Sequence, residues 1–477
     1  MLLGLSRRFW LAVGLIVVVT AAAILLPRIS RIALLGSGYM AQTLCAGLFV
    51  SGRDMESLMT QDLSGPGLEP LQLFTPVVDH EAQTVRATAF GLFGQTAIFR
   101  DGLGCTLIHD KTVASLRAQG ANLFASTPAP MAQAEWPVGA RVTSRPWAEG
   151  VDEAAVAQAI EAIFSEPDPA RPRNTRALVV VHRGRIVAER YVPGFDAQMP
   201  MIGWSMSKTA INALAGLRIK DQAITLDATD LMPEWRDEND PRAAITLNEL
   251  MHMTSGLAFD EDTDDMLSDV SQMIYVHGNT ARFAADKPLD HKPGTRWSYS
   301  SGTTNIIAAV LRETFDDERA YLRFPRERLF APLGMRSAVF SPDASGTFMG
   351  CSFLYASARD WARLGLLFLE DGVWQGKRLL PEGWVAYSVR PTLLAPDDRY
   401  GAQVWLKLPK SPALGEPPMP EDAFYMLGHD GQVTAMVPSR DLVIVRLGLT
   451  RKGGDWETAR DLAPLVSAFP PSADAQK

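Results

Sequence analysis

The chain has 477 residues, 47% of them apolar, and a formal net charge of −8 at pH 7 with a sequence pI near 5.5. That length and composition support a globular protein with a large core and more than one structural unit, and exclude a disordered chain. The acidic balance, without a basic run or an interleaved basic and aromatic stripe, argues against nucleic acid as a partner.

The first 27 residues differ in kind from the rest. Arg7 and Arg8 precede Phe9 to Leu26, an uncharged apolar run closed by Pro27 and Arg28. Its 18 residues are the minimum for a spanning helix. A cleaved signal peptide is the alternative, with Ala21-Ala22-Ala23 as a small-residue site, but Ile24-Leu25-Leu26 carry the apolar run past it. The reading adopted is an uncleaved transmembrane anchor over residues 1–27. Arginines flank both ends, so the positive-inside rule barely discriminates. The N-terminal position then sets the orientation: a single-pass inner-membrane protein with its body on the periplasmic side. In that compartment Cys45 and Cys105 are able to pair and leave Cys351 free, and three buried thiols are the other reading.

Residues 28–150 read as a lead-in module. Gly36 to Val50 has the pattern of a short amphipathic helix, Val85 to Ile108 that of a small β-meander punctuated by glycine, and the proline-rich residues 127–150 that of a linker. From residue 151 the organisation tightens. A helix is expected over Val151 to Phe164, then a hairpin of Ala177 to Val181 and Arg185 to Arg190. Another helix runs to about Lys220, with Met206, Ala210, Leu214 and Leu217 on its apolar face. Thr246-x-x-Glu249 is a capping box. Asp260 to Asp269 lacks the glycine and glutamate of a calcium loop and reads as a solvated acidic loop at the lip of a cleft. Helices continue through Trp361 to Leu369. Strands return at Ala402 to Leu406, Gln432 to Met436 and Leu442 to Leu447, before a closing helix from about Trp456 to Phe469. This order predicts an α+β fold in which both ends of the domain, 151–477, build one antiparallel sheet around a helical insert.

The chemistry concentrates at Gly203-Trp204-Ser205-Met206-Ser207-Lys208. Residues three apart on a helix share a face, so Ser205 and Lys208 point the same way, a hydroxyl beside an amine. A serine becomes a nucleophile when a neighbour takes its proton, and helix N-terminal N–H groups favour an oxyanion at that place. Alone, S-x-x-K is as consistent with a capping serine and a solvated lysine.

Its company changes that. Ser205-x-x-Lys208, then Tyr299-Ser300-Ser301, then His429-Asp430-Gly431-Gln432 before a late strand resembles the ordered motifs of serine β-lactamase-like hydrolases. Supporting phrases are Leu250-Met251-His252-Met253-Thr254-Ser255-Gly256-Leu257, Pro332-Leu333-Gly334-Met335 and Ser357-Ala358-Arg359-Asp360-Trp361. The resemblance covers residues 151 to 470 and is strongest to class C-like esterases and aminohexanoate-dimer (nylon-oligomer) hydrolases. It implies the β-lactamase/transpeptidase-like fold, Ser205 as acylated nucleophile, Lys208 as its base, and Tyr299 as the group that activates serine and protonates the leaving group. It also implies an oxyanion hole from the backbone of Ser205 and Gln432, with Ser301, His429 and Gly431 at the substrate.

Two positions depart from class C β-lactamases. Ser301 stands where they have asparagine, and His429-Asp430-Gly431 where they have Lys-Thr-Gly. A histidine is mostly neutral above pH 7 and cannot replace a permanent ammonium as a carboxylate clamp. His429 is either a substrate contact or a structural hydrogen-bonding residue. The implied substrate is therefore a carboxylic ester or small amide. A D-amino-acid peptidase or β-lactamase activity on cell-wall-like substrates is the enzymatic alternative, and a catalytically silent scaffold the non-enzymatic one. The seven histidines form no HExxH or other close pairing, so no metal and no cofactor are expected.

Overall fold

The computed structural model describes residues 7–124, 134–237, 239–408 and 419–472. Helix α1, Arg7–Cys45, is 39 residues long and carries Pro27 inside it. The expected short helix from Gly36 is thus the end of one continuous rod, followed by a wider turn over Ala46–Val50. The rod changes surroundings along its length. Leu15, Ile16, Leu25, Leu26 and Ile29 are exposed, whereas Ala33, Met40, Ala41, Leu44 and Cys45 are buried. Packing explains the added length, because a four-stranded antiparallel sheet and a helix of the body cover α1 from Ala33 onward.

That sheet is β1 (Phe74–Asp79), β2 (Thr84–Ala89), β3 (Gly94–Arg100) and β4 (Gly104–Leu107), in sequence order. The expected meander is there, with an edge strand added at Phe74. A Cys45–Cys105 disulfide staples α1 to β4, and Cys351 is free and buried. Residues 134–141 lie on the body as a strap: Arg363 donates to Pro137 O and Gly139 O, and Arg359 to Ala140 O.

In the body, α2 (Glu153–Phe164) starts at Asp152, whose side chain accepts from Ala155 N. The hairpin of β5 (Thr175–His182) and β6 (Arg185–Tyr191) follows. Then come α3 (Ser207–Lys220), α4 (Leu247–Met251), α5 (Asp269–Val276), α6 (Ser301–Glu313) and α7 (Ala358–Leu369). The chain closes with β7 (Phe424–Gly428), β8 (Gln432–Val437), β9 (Leu442–Gly448) and α8 (Thr458–Ser467). The main sheet has the order β7-β8-β9-β5-β6, antiparallel throughout. Both ends of the body build it, as the element order predicts.

Strand alternation divides the core into two layers. Leu178, Val180 and Ile444 face α2 and α8, with Val156, Ile163, Leu462 and Phe469. Val179, Val181 and Val443 face the larger layer with Trp361 and α3. The strand expected at Ala402 to Leu406 is absent. Its backbone is engaged by α3 instead: Asn212 donates to Ala402 O at 2.8 Å and Thr209 to Gln403 O at 2.9 Å. Only Trp405 bridges to the sheet, at Tyr425.

Candidate active site

The site is built at the start of α3, where the chain approaches two walls closely. A Cβ on Gly203 would lie 2.1 Å from the ring of Trp361, and one on Gly428 2.2 Å from Gly203 O. Both glycines therefore allow β7, α7 and the turn before α3 to meet. Trp204 follows at φ +49, a left-handed conformation that costs a bulky residue energy, and such strain concentrates at functional sites. A 3₁₀ turn over Trp204–Met206 then delivers Ser205, and α3 begins at Ser207.

α3 is buried from Ser207 to Leu217, so its polar side chains need partners. Ser207 Oγ donates to Trp204 O at 2.7 Å and accepts from Leu354 N at 3.2 Å. Lys208, 2% exposed, aims its ammonium at three oxygens: Ser205 Oγ at 3.0 Å, Ser301 Oγ at 3.1 Å and Cys351 O at 3.4 Å. The Tyr299 ring centroid is 4.9 Å from the same nitrogen. Ser205, Lys208, Tyr299 and Ser301 thus meet around one atom.

Behind Ser301 stands a residue that sequence reasoning missed. Glu261 accepts from Ser301 N at 2.6 Å through one oxygen and from Ser301 Oγ through the other. The acidic loop is therefore not wholly solvated: Asp262, Asp264 and Asp265 are exposed, and Glu261 turns inward. One signal was available, since Leu257, Phe259 and Glu261 alternate with period two and Glu261 falls on the same side as the two apolar residues. Burial pushes the Glu261 carboxyl above the usual carboxylate range, and the Lys208 charge opposes that rise only in part. For Lys208, burial acts to lower the pKa, but Tyr299, Cys351 and Glu261 outweigh it and hold the amine above its ordinary value.

The other side of the cleft is aromatic. Tyr299 packs on Trp405 at 5.2 Å and edge-on to Tyr400 at 5.7 Å between centroids. His429 sits between β7 and β8, half exposed, 5.7 Å edge-on from Trp204 and with Nε2 3.3 Å from Asp430 Oδ1. Asp430 is itself paired with Arg451 at 2.8 Å, and Arg451 reaches Tyr39 Oη of α1 at 3.3 Å. Gly431 is required by crowding: at φ +80, a Cβ there would lie 2.6 Å from Arg446 Nη1. The Gln432 side chain is not free for substrate. Its Nε2 donates to Gly448 O at 2.7 Å and its Oε1 accepts from Gly448 N at 2.9 Å. Of the sequence-derived residues, Ser205, Lys208, Tyr299 and Ser301 are brought into one cluster, His429 reaches the Trp204 ring from the turn between β7 and β8, and Gly431 and Gln432 pack against Arg446 and Gly448.

An antiparallel sheet flanked by helices, with Ser and Lys one turn apart beside a tyrosine, defines the class of active-site serine hydrolases with the β-lactamase/transpeptidase-like fold. A family model described as Beta-lactamase matches residues 160–467, and the chain belongs to that family of serine hydrolases. The 6-aminohexanoate-dimer hydrolase of Paenarthrobacter ureafaciens is 25% identical over 223 residues, 44% of this chain and 56% of that protein. The chain thus spans little more than half the length of this relative. A Bacillus anthracis structure provisionally named as a 6-aminohexanoate-dimer hydrolase is 25% identical, with TM-score 0.50, over 58% of this chain and 74% of its own. A family VIII carboxylesterase shares the fold at 15% identity and TM-score 0.51, over 68% of this chain and 98% of its own.

Proposed function

We propose that the protein is a membrane-tethered serine hydrolase that cleaves a carboxylic ester or small amide through an acyl-enzyme at Ser205. The observation that carries this is the buried Lys208 ammonium, 3.0 Å from Ser205 Oγ with Tyr299 and Ser301 around it. A surface lysine beside a capping serine would have neither the burial nor the partners. The relative from Paenarthrobacter ureafaciens, named for an amide dimer, and the carboxylesterase with the same fold support this reaction class.

Because Lys208 is held as the ammonium, the Tyr299 oxygen is the group left to receive the serine proton. In that reading Lys208 orients Ser205 and stabilises the charge on the tyrosine, rather than acting as the base itself. Ser205 Oγ bonds to the carbonyl carbon as its proton passes to Tyr299. The backbone N–H groups of Ser205 and Gln432 take the oxyanion. The bond to the alcohol or amine then breaks, and Tyr299 returns the proton to the leaving group. Water repeats the sequence on the acyl-enzyme, releasing the acid and restoring Ser205.

Three units serve this chemistry: the anchor over 1–27, the lead-in module over 28–150 and the hydrolase domain over 151–477. The exposed apolar half of α1 supports the anchor, and the Cys45–Cys105 disulfide supports an oxidising, periplasmic location for the body. A fluorophosphonate probe tests the function. The account expects one covalent label on Ser205, lost in Ser205→Ala; no label on the folded wild-type chain contradicts it.

A further inference from the structure

The turn between β2 and β3 is Phe90-Gly91-Leu92, closed by Leu92 N–H donating to Ala89 O at 2.9 Å. Its two central residues are left-handed, Phe90 at φ +53 and Gly91 at φ +70. Glycine, asparagine and aspartate suit the first of these positions, and a bulky aromatic does not. Four other turns of the body put a left-handed residue before a left-handed glycine, Arg183-Gly184, Asp371-Gly372, Gln375-Gly376 and Asp430-Gly431, and each places a polar residue first. Phe90 thus carries the strain of a left-handed aromatic where those turns carry polar side chains. Burial within the protein does not offset that strain, because Phe90 is 74% exposed and Leu92 66%. Leu73, just before Phe74, which pairs with Ala89 at the end of the β1–β2 ladder, adds a third exposed apolar side chain at the same end of the sheet.

The position of this end along α1 says what covers it. Ser37 Oγ donates to Phe93 O at 2.5 Å, and Gly36 lies against the Phe74 ring. At the far end of the contact Cys45 is bonded to Cys105, which pairs with Phe99. β3 thus runs alongside α1 from Ser37 towards Cys45, and the Phe90–Leu92 turn projects beyond Ser37 towards the N-terminal, exposed half. The last exposed large apolar residue of α1 is Ile29, flanked by Arg28 and Arg31. From Arg28 to Ser37 the helix rises about 13 Å, and the turn reaches back about 7 Å of that. Its tip falls within the interfacial zone, which adds about 5–7 Å to each side of the hydrocarbon core.

We infer that the Phe90–Leu92 turn, with Leu73, is a second membrane contact that inserts into the lipid interface beside the exit of α1 and fixes the body against the bilayer. This rests on the reading of α1 as an uncleaved anchor. Phe and Leu are suited to the acyl boundary, and the rigid course of α1 into the body leaves no linker that would let the turn float away. One helix alone leaves rotation of the body about its own axis open; a second contact at a radius from it closes that freedom.

The test uses the full chain in phosphatidylcholine–phosphatidylglycerol vesicles with an environment-sensitive NBD dye on Leu92→Cys, and on Gln83→Cys at the opposite end of the sheet as control. The native cysteines are disulfide-bonded or buried. The inference expects a blue-shifted dye at residue 92, quenched by nitroxide placed near the lipid headgroup, and an unquenched, aqueous dye at residue 83. Adding Phe90→Asn, which suits the turn's backbone, should abolish most of the quenching at 92 while the fold is kept. A dye at 92 as aqueous as that at 83, on protein that stays with carbonate-washed vesicles, overturns the inference and leaves the anchor standing. Release of the chain by carbonate overturns the anchor, and the second contact with it.

Discussion

Replacing Glu261 by glutamine removes one negative charge from the neighbourhood of Lys208 and keeps the side chain's size. Two hydrogen bonds in series, Lys208 to Ser301 and Ser301 to Glu261, separate the charges by about 5–6 Å. At an effective dielectric near 20 their attraction is about 3 kcal/mol, equal to about two pKa units. The loop is partly open to solvent, so a shift of about one unit is the working expectation. Its sign is fixed by charge: removing an anion lowers the pKa of the lysine. In Glu261→Gln the limb of the bell-shaped kcat/KM profile that Lys208 sets should therefore move to lower pH, measured with a p-nitrophenyl ester between pH 5 and 10. Glu261→Ala should show the same displacement and lose stability as well, because two donors of Ser301 are left without their acceptor. A lower kcat with an unmoved bell would refute the reasoning, since it would mean that Glu261 is uncharged in the working enzyme.

Gly203→Ala pushes a methyl into the buried Trp361 ring, so it should cost about 1–3 kcal/mol in stability by overpacking. It should also lower kcat/KM about 100-fold by displacing the Ser205 turn; thermal unfolding and ester kinetics read the two effects. Loss of the Cys45–Cys105 bond, in the double serine variant, should destabilise the chain by up to about 4 kcal/mol, the chain-entropy value for this 60-residue separation. Denaturant titration with and without reductant measures it. His182, 2% exposed and packed 4.9 Å from the Phe469 ring, has its pKa lowered to about 4 by burial. The unfolded chain takes up that proton near pH 6.5 and the folded chain resists it, so stability should be lost as pH falls from 6.5 to 4, by up to about 3 kcal/mol. A Tm-against-pH curve that His182→Asn fails to flatten would contradict this assignment.

What was legible in the sequence had a short-range signature. The capping box at Thr246 and Glu249 is formed as read, because all of it lies within four residues. The hairpin at His182-Arg183-Gly184 and the strands at Gln432 and Leu442 follow from local alternation and turn chemistry, and their order gave the sheet's composition from both chain ends. The serine–lysine spacing placed both side chains on one face because helix geometry fixes it. What was not legible depends on distant partners. The 402–406 segment has strand composition, but Asn212 and Thr209, nearly two hundred residues earlier, claim its carbonyls. Glu261 hid in a run of aspartates because its function depends on Ser301, forty residues later. Gly36 to Val50 carries the pattern of a separate helix, and the partners that bury it as the end of one rod, β2 and β3, lie forty to sixty residues later.

The most direct test of the central claim is intact-mass spectrometry of the detergent-solubilised full chain, mixed briefly with a short-chain p-nitrophenyl ester and quenched in acid. The account predicts a burst of nitrophenol and one added acyl group, carried by Ser205 and absent from Ser205→Ala. An active enzyme that shows neither adduct nor burst, and keeps its activity in Ser205→Ala, would contradict it.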